Sequence, residues 1–313
     1  MKHLPFTETP IHELHYYSKL CDSKIMVKRD DLFLKAGGGN KARMLQYILA
    51  DIPTSDFKII VTAGGPNSNF NRACALMCAE LGIQMHLVEY TEDLDEFNNS
   101  LNYYICKLCN IRTTRCQKDN VRQTINGVLN QYAQQNIKTK FIYGGGKSLE
   151  GIYAYYEAIK ELKRQDINID HLFIACGTGT TLTGVCIGMQ EYYPSAKIHA
   201  ISTARNWETE SIVIKEDLDT INKYLNTSYN FNNAMFYENF LCGGYGKYNS
   251  SIIKDIKKCI EKTGMMIDPT YSGKAFSGML NIISSSNKFK GTNILFWNTG
   301  GIFNLLSTHN ITF

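Results

Sequence analysis

The lysine at position 41 stands where a lysine side chain is electrostatically disfavoured. Residues 37–43 read Gly-Gly-Gly-Asn-Lys-Ala-Arg, and the apolar spacing that follows predicts a helix beginning at Asn40. The positive end of a helix repels the ammonium of Lys41 and so favours the neutral amine. A neutral amine flanked by glycines can form a Schiff base with a carbonyl cofactor. The alternative is an exposed lysine beside Arg43, which is the commoner case for a single lysine.

A glycine- and threonine-rich turn follows one predicted strand and opens a predicted helix. It contains Gly177, Thr178, Gly179, Thr180 and Thr181. Free N–H groups, hydroxyls and the helix dipole would meet at one point there, which is an arrangement that binds a phosphate. Leu182 occupies the place of the third glycine in a dinucleotide fingerprint, so the turn favours one small phosphate over a dinucleotide. A tight turn with threonine caps is the alternative.

A third turn carries a hydroxyl between two amides. Asn67, Ser68 and Asn69 follow a Gly-Gly-Pro segment and open a helix rich in small residues. Hydroxyl and amide donors at a helix start suit a carboxylate, although simple capping by Ser68 or Asn67 also explains the turn. No serine lies in a GxSxG motif, which disfavours an α/β-hydrolase. A P-loop is excluded at 146–148, since Phe141 stands where its first glycine must be.

Strand-like and helix-like segments alternate along the chain, and these turns lie where strands give way to helices. Strands are predicted at 24–29, 58–62, 84–88, 140–143, 170–175, 197–202 and 292–297. Helices are predicted at 40–50, 69–81, 93–109, 120–135, 151–163, 183–192, 250–263 and 273–285. This alternation predicts an α/β fold with two open, twisted, mostly parallel sheets flanked by helices. Sites in such folds lie at the carboxyl ends of the strands, where these turns gather.

Composition narrows the class of protein further. The 313 residues are 44% hydrophobic and 20% charged, which supports a large buried core and excludes a disordered or fibrous chain. No apolar run reaches the roughly 18 residues that span a bilayer. A net charge of +4 is too small to indicate nucleic-acid binding. The start of the sequence lacks the apolar segment of a signal peptide, so we expect a cytoplasmic protein without membrane or nucleic-acid partners.

Cysteine and histidine spacing does not predict a metal site. The ten cysteines are too sparse for a small secreted disulfide scaffold. Cys106, Cys109 and Cys116 lie close in sequence, but no second pair or histidine follows at ligand spacing. We therefore expect no metal, and we expect the cysteines to be reduced, partly buried thiols.

In chain order these turns resemble the motifs of one enzyme family. The sequence is similar to the 1-aminocyclopropane-1-carboxylate deaminase/D-cysteine desulfhydrase family from Thr9 to Gly301. Seven ordered motifs carry the likeness, and they lie at 28–43, 67–72, 145–151, 177–181, 244–246, 268–274 and 298–301. Members of the family are fold type II, tryptophan synthase β-like enzymes that use pyridoxal 5′-phosphate (PLP). The resemblance therefore implies this cofactor and a small amino-acid substrate.

The resemblance assigns cofactor-binding roles to four parts of the sequence. Lys41 would form the Schiff base with PLP, and the turn 177–181 would bind its phosphate. Asn69 would form a hydrogen bond with the phenolic oxygen, and Thr299 would face the pyridine nitrogen. Because threonine is a neutral partner, it would not keep the ring protonated, which favours elimination over transamination.

Substrate-side roles fall to two amides, a hydroxyl and two phenols. By the same resemblance, Asn67, Ser68 and Asn69 would contact the substrate, with Ser68 on its carboxylate and taking part in proton transfer. Tyr245 and Tyr271 match the family's active-site tyrosines and would lie near the leaving group or the ring face. Without the motif context, core packing would be the better interpretation of either tyrosine.

Departures from the family pattern decide which reaction is expected. Family deaminases carry glutamate after the second tyrosine, desulfhydrase-like members carry threonine, and this chain has Ser272. Asn67, Phe70, Thr180 and Asn298 also differ from the common family residues, which leaves an unusual substrate open. We expect β-elimination from a D-cysteine-like amino acid, with release of ammonia, a 2-oxo acid and a leaving group such as sulfide. The alternatives are cyclopropane ring opening, β-replacement, an inactive binding protein of the same fold, and a nucleotide-binding protein.

The resemblance also implies two lobes and a pair of subunits. Residues 1–44 and 156–313 would form a large PLP-binding domain, and residues 45–155 a small domain. The cofactor would lie in the cleft between them, and closure of the lobes would expel water. Family members are usually homodimers, so a homodimer is expected.

Overall fold

Two β-sheets organise the computed structural model, which describes residues 1–5, 7–92 and 95–308. The strands are β1 (Ile11–Glu13), β2 (Lys24–Arg29), β3 (Ile59–Gly64), β4 (Gln84–Glu89), β5 (Arg112–Arg115), β6 (Thr139–Phe141), β7 (His171–Cys176), β8 (Lys197–Ser202), β9 (Ala234–Tyr237) and β10 (Asn293–Asn298). The helices are α1 (His15–Cys21), α2 (Asn40–Ile48), α3 (Asn69–Glu80), α4 (Asp95–Asn99), α5 (Leu101–Leu108), α6 (Val121–Gln134), α7 (Leu149–Arg164), α8 (Thr180–Tyr192), α9 (Trp207–Leu225), α10 (Ser250–Thr263), α11 (Ser272–Ser284) and α12 (Ile302–Leu306). Short 3₁₀ turns cover Asp30–Leu32, Ile52–Thr54, Lys118–Asn120, Gly144–Gly146 and Asn287–Phe289.

Both sheets are parallel apart from one edge. The six-stranded sheet has the order β1-β2-β10-β7-β8-β9, and only its β1–β2 pair is antiparallel among the described strands. The four-stranded sheet has the order β5-β4-β3-β6, with every described pair parallel. The predicted fold class, two mostly parallel sheets flanked by helices, is therefore confirmed.

The central strand β7 shows how the large sheet is covered on both faces. Leu172 and Ile174 belong to the hydrophobic cluster that includes α7 and α8. Phe173 and Ala175, which alternate with them, belong to the cluster that includes α10 and α11. All four side chains are buried, as expected for a parallel strand with helices on either side.

The predicted helix 93–109 is two helices in the structure. Ser100 separates α4 from α5, and its hydroxyl accepts a hydrogen bond from Tyr103 N (3.1 Å), which caps α5. The same hydroxyl donates to the Pro66 carbonyl (2.8 Å), so this break ties α5 to the turn before α3. Residues 93 and 94, where the predicted helix began, lie outside the described part of the chain.

The length and polarity of each helix show whether it could cross a membrane. Across the described ranges, none of the helices combines the length and the apolar composition that a membrane crossing requires.

Candidate active site

One cleft is lined by the end of strand β7 and by residues that follow strands β3 and β10. Its lining consists of Asn40, Lys41, Ser68, Asn69, Phe70, Gly145, Ala175, Cys176, Gly177, Thr178, Gly179, Thr181, Leu182, Tyr271, Thr299 and Gly300. Most of the residues singled out from the sequence thus meet at one place. Three do not line the cleft: Asn67, Thr180 and Tyr245.

Lys41 lies in the first turn of α2 with its amine against a backbone carbonyl. The Nζ atom donates a hydrogen bond to the Gly145 oxygen (2.7 Å) and lies 3.9 Å from the sulfur of Met44. Burial lowers the pKa of Lys41 to about 8, and the nearby Cys176 thiol opposes only part of that shift. The amine can therefore be neutral, and hence nucleophilic, at a pH close to neutrality.

A buried ionic network fixes the position of α2 through Arg43. The Arg43 guanidinium donates to Asp30 Oδ1 (2.8 Å) and to Glu161 Oε2 (2.6 Å), and Lys28 Nζ donates to Glu161 Oε1 (2.5 Å). The charges of the two cations and the two carboxylates cancel, and all four side chains are buried. The Asp30 carbonyl also accepts from Gly39 N (2.7 Å), so the network extends directly to the turn that precedes Lys41.

The turn after β7 places the amino end of a 13-residue helix, α8, at the cleft. Gly179 is the N-cap of that helix with φ +80°, and a Cβ there would lie 2.8 Å from Glu210 Oε1, so any other residue would be strained. Thr181 Oγ1 accepts from Asn40 Nδ2 (3.1 Å), which joins the starts of α8 and α2. Thr180 is fully buried beside Asp217, which explains why its side chain does not reach the cleft.

Two carboxyl groups of α9 lie behind this turn. Glu210 accepts from Cys176 Sγ (3.3 Å) and is 3.3 Å from an Arg205 guanidinium nitrogen. Burial raises the pKa of Glu210, and it raises the pKa of Asp217 to about 6. Both shifts favour the uncharged carboxyl forms, and with a pKa of about 6 Asp217 is still mainly a carboxylate at pH 7.

The Ser68 turn combines capping with presentation of polar groups. Ser68 is the N-cap of α3, and its hydroxyl accepts from Asn71 N (3.2 Å). Asn69 Oδ1 accepts from Asn102 Nδ2 (3.2 Å), and the same nitrogen donates to Asn304 Oδ1 (2.7 Å). With its oxygen bound to Asn102, the Asn69 amide has its two N–H donors left for the cleft.

The two tyrosines predicted from the sequence are in contact. The Tyr271 hydroxyl donates to the Tyr245 hydroxyl (3.0 Å), and the ring centroids are 5.8 Å apart. Tyr271 lines the cleft, whereas Tyr245 is 50% exposed and reaches the cleft through Tyr271. Burial raises the pKa of Tyr271 well above its ordinary value, so this phenol keeps its proton at neutral pH.

Asp268 is a residue of the site that the sequence reasoning did not single out. Its carboxyl oxygens accept hydrogen bonds from the backbone nitrogens of Tyr271 (3.0 Å) and Ser272 (2.9 Å) and from Ser272 Oγ (2.7 Å). Ser272 Oγ also lies 3.1 Å from the Gly300 oxygen. Ser272 is fully buried and therefore affects the cleft by holding Asp268 and the segment after Thr299. The position of Asp268 in an Asp-Pro-x-Tyr sequence is the signal that could have indicated it.

The donors of the cleft fit a phosphorylated aldehyde. Lys41 supplies an amine whose pKa is low enough for attack on a carbonyl carbon. The turn 177–181 supplies glycine backbone, hydroxyls and a helix amino end that suit a phosphate. Thr299, which directly follows β10, supplies a neutral hydroxyl to the same lining. PLP carries both an aldehyde and a phosphate, so the residues present fit this cofactor.

Comparison with known proteins identifies the family. A model of the family described as "Pyridoxal-phosphate dependent enzyme" matches residues 3–300. The chain belongs to this family. As a pyridoxal-phosphate dependent enzyme it uses the cofactor expected from the resemblance, and that expectation is confirmed.

Similar proteins carry the names that the sequence motifs suggested. A bifunctional D-cysteine desulfhydrase/1-aminocyclopropane-1-carboxylate deaminase of Arabidopsis thaliana is 29% identical, and the match covers 97% of this chain and 78% of that protein. A putative 1-aminocyclopropane-1-carboxylate deaminase of Pyrococcus furiosus is 30% identical, with 94% and 90% covered. A solved structure of a homologue of that deaminase superposes with a TM-score of 0.88 at 26% identity, over 97% of this chain and 92% of the other. The resemblance to this family of lyases is therefore confirmed.

More distant structures share the fold. Serine racemase from Dictyostelium discoideum superposes with a TM-score of 0.69 at 15% identity and covers 95% of this chain and 93% of its own. The type II fold expected from the sequence is thus present over almost the whole chain.

Proposed function

We propose that this enzyme catalyses β-elimination from a small, D-cysteine-like amino acid. The observation that carries the proposal is the single cleft shared by the Lys41 amine, the Ser68–Asn69 turn, the turn at 177–181 and the Tyr271 phenol. The printed name of the Arabidopsis relative includes D-cysteine desulfhydrase, which supports the same reaction.

Four parts of the chain would hold the cofactor. Lys41 would bond to the aldehyde carbon, and the turn 177–181 would bind the phosphate with its N–H groups and hydroxyls. Asn69 would donate an N–H to the phenolic oxygen, and Thr299 would face the ring nitrogen. When bound, PLP withdraws electrons from the α-carbon of an attached amino acid and so makes its proton acidic.

The protein supplies the proton transfers and the orientation. Ser68, with Asn67 beside it, would bind the substrate carboxylate at the start of α3. The amino group of the substrate would replace Lys41 on the aldehyde carbon and so release its amine. That amine would then take the α-proton, which requires the neutral form that burial favours. Tyr271 would give its proton to the departing sulfur, and Tyr245 would return a proton to Tyr271.

The reaction balances as a lyase reaction followed by hydrolysis. The α-carbon–hydrogen bond and the β-carbon–sulfur bond break, and the sulfur leaves with the electron pair and one proton as hydrogen sulfide. The product, 2-aminoacrylate, tautomerises to an imine, and water converts the imine to pyruvate and ammonia. No oxidant or reductant takes part.

Ring opening of 1-aminocyclopropane-1-carboxylate is the second candidate. The names of the relatives in Pyrococcus and Arabidopsis favour it. Ser272, which stands where the family deaminases have glutamate, is buried against Asp268 and puts no carboxylate into the cleft. We therefore rank elimination first.

A substrate panel tests the proposal directly. Purified holoenzyme is incubated with D-cysteine, L-cysteine, D-serine and 1-aminocyclopropane-1-carboxylate, and pyruvate, 2-oxobutyrate, sulfide and ammonia are measured. We expect equal amounts of pyruvate, ammonia and sulfide from D-cysteine, and no product from the Lys41→Ala variant. Production of 2-oxobutyrate alone would make ring opening the activity. A new amino acid formed only after a thiol is added would indicate β-replacement, and no product from any compound would indicate an inactive binding protein.

The proposal extends to lobes, assembly and location. We infer that residues 45–155, which contain the whole four-stranded sheet, form a small lobe over a large domain of residues 1–44 and 156–313.

We also infer a homodimer, which light scattering after size-exclusion chromatography tests. A cytoplasmic location is supported by the ten cysteines, each of which is a free thiol.

A further inference from the structure

Lys274 is a fully buried lysine whose ammonium binds backbone carbonyls. Its Nζ atom donates hydrogen bonds to the oxygens of Leu241 (2.8 Å), Gly244 (2.9 Å) and Thr203 (3.2 Å). The residue is 0% exposed. A lysine ammonium has three N–H donors, and here the three have three acceptors in two different segments of the chain.

Burial of a lysine ammonium costs free energy unless its N–H groups find hydrogen-bond acceptors. Burial of an ammonium disfavours its charged form, and burial indeed lowers the pKa of Lys274. Its partners are neutral carbonyls, and a methionine or leucine at position 274 would remove one hydrogen-bond donor from each of them. The hydrogen bonds of Lys274 offset this cost, and two of them fix the position of the loop that contains Leu241 and Gly244.

The loop at 241–246 needs such a tether. Three of its glycines have positive φ angles: Gly243 at +91°, Gly244 at +123° and Gly246 at +70°. A Cβ built on Gly244 would find no atom within 4 Å, so the loop is not packed at that point. Glycine backbone without packing has many accessible conformations, and a small number of hydrogen bonds decides among them.

The tethered loop carries Tyr245, and the tether comes from the helix that carries Tyr271. Tyr245 directly follows Gly244, whose carbonyl Lys274 binds, and its hydroxyl accepts from Tyr271. At the same helix start, Asp268 holds the backbone nitrogen of Tyr271. The segment 268–274 therefore restrains both phenols, Tyr271 through Asp268 and Tyr245 through Lys274.

We propose that Lys274 is a positioning residue that holds Tyr245 against Tyr271 by binding the carbonyls of Leu241 and Gly244. This inference rests on the proposed function, in which the tyrosine pair serves the leaving group. Lys274 itself lies outside the cleft lining and touches no reacting atom.

A double-mutant cycle on the PLP-loaded enzyme tests the proposal. Lys274→Met is combined with Tyr245→Phe, and pyruvate release from D-cysteine gives kcat and KM. Because displacement of a catalytic group by about 1 Å costs up to ~100-fold, we expect Lys274→Met alone to lower kcat ~10- to 100-fold. In the Tyr245→Phe background the same change should cost less than about twofold, since the group it positions is already absent. Lys254→Met, at an exposed site on α10, is the matched control and should retain full kcat.

A second measurement is independent of turnover. Hydrogen exchange of the peptide covering 239–248, in which Gly244 N donates to the Leu241 oxygen (3.0 Å), should be faster in Lys274→Met than in the wild type and in Lys254→Met. Gly244→Ala strains the same loop through the φ of +123° at that position, and no atom lies within 4 Å of the added Cβ. Its loss of kcat should likewise vanish in the Tyr245→Phe background.

The outcomes separate the two hypotheses. Equal losses of kcat from Lys274→Met with and without the Tyr245 hydroxyl, or unchanged exchange of the 239–248 peptide, would overturn the positioning role. If the wild type releases no product from any amino acid, the proposed function fails, while the exchange measurement still decides whether Lys274 tethers the loop.

Discussion

The low pKa of Lys41 leads to a quantitative prediction for cofactor capture. An amine attacks an aldehyde only in its neutral form. Burial lowers the pKa of Lys41 from 10.5 to about 8. At pH 7 about one side chain in ten is then neutral, against roughly one in 3,000 for an ordinary lysine, so Lys41 has a ~300-fold larger reactive fraction.

The pH dependence of capture by the apoprotein measures this difference. Apoprotein is mixed with PLP between pH 6.5 and 9.5, samples are reduced with borohydride at set times, and modification of position 41 is counted by peptide mass spectrometry. The rate should rise with pH as the amine loses its proton and should level off above about pH 8 to 8.5. Nα-acetyl-lysine treated identically corrects for the ionisation of PLP itself, and its rate should still be rising at pH 9.5.

Parallel pH curves for position 41 and for Nα-acetyl-lysine would contradict a desolvated Lys41. If modification of position 41 rises tenfold per pH unit up to pH 9.5, as free lysine does, then Lys41 is not desolvated in the apoprotein. Modification mainly at another lysine, with Lys41→Ala retaining the absorbance of bound PLP, would remove Lys41 from the site altogether.

Three further variants test other parts of the site. Tyr271→Phe should lower kcat for D-cysteine by ~100-fold with PLP absorbance retained, because a positioned proton donor is lost; undiminished turnover would exclude that role. Arg43→Met should lower the free energy of unfolding in urea by ~3–5 kcal/mol, since it leaves buried Asp30 without an ion-pair partner and Glu161 with Lys28 alone. Arg164→Met, which breaks an exposed pair, should cost less than ~1 kcal/mol. Asn102→Leu removes a donor to Asn69 and should weaken PLP binding in a spectroscopic titration ~5- to 10-fold; an unchanged Kd would show that the Asn69 amide needs no orientation.

The elements that the sequence predicted well are those with uniform burial. Strands β2 and β8 have the predicted bounds, because apolar runs at 24–29 and 197–202 end at polar residues. The turn 177–181 was predictable as a site because it follows such a strand and its glycines permit the required backbone. These are properties of adjacent residues, which a single sequence displays directly.

Helix α9 shows why the remainder could not be predicted. Its inner face contains Ile214, Leu218 and Ile221, but also the buried acids Glu210 and Asp217. The two acids interrupt the apolar stripe from which a helix is inferred. They are buried because α9 packs behind the 177–181 turn. This contact places α9 near the cleft, and it is also the reason that acidic residues interrupt the apolar stripe.

The contacts between distant segments were equally hidden. Tyr245 and Tyr271 are 26 positions apart and belong to a loop and a helix start, so spacing gives no reason for their hydroxyls to meet. Asn102 orients Asn69 from a helix 33 positions away. The order of the motifs indicates that both tyrosines belong to the site, but only the fold shows which groups orient them.

The titratable groups around the cleft share one physical property that links fold to chemistry. Burial moves Lys41, Tyr271 and Asp217 towards their neutral forms, because each is held by helices and strand ends away from water. A neutral amine can attack and can take a proton, and a protonated phenol can give one. In the proposed function, the phosphate and the substrate carboxylate would bring negative charge to the helix amino ends of α8 and α3. The same packing that places strand ends together thus also sets the protonation states that elimination requires.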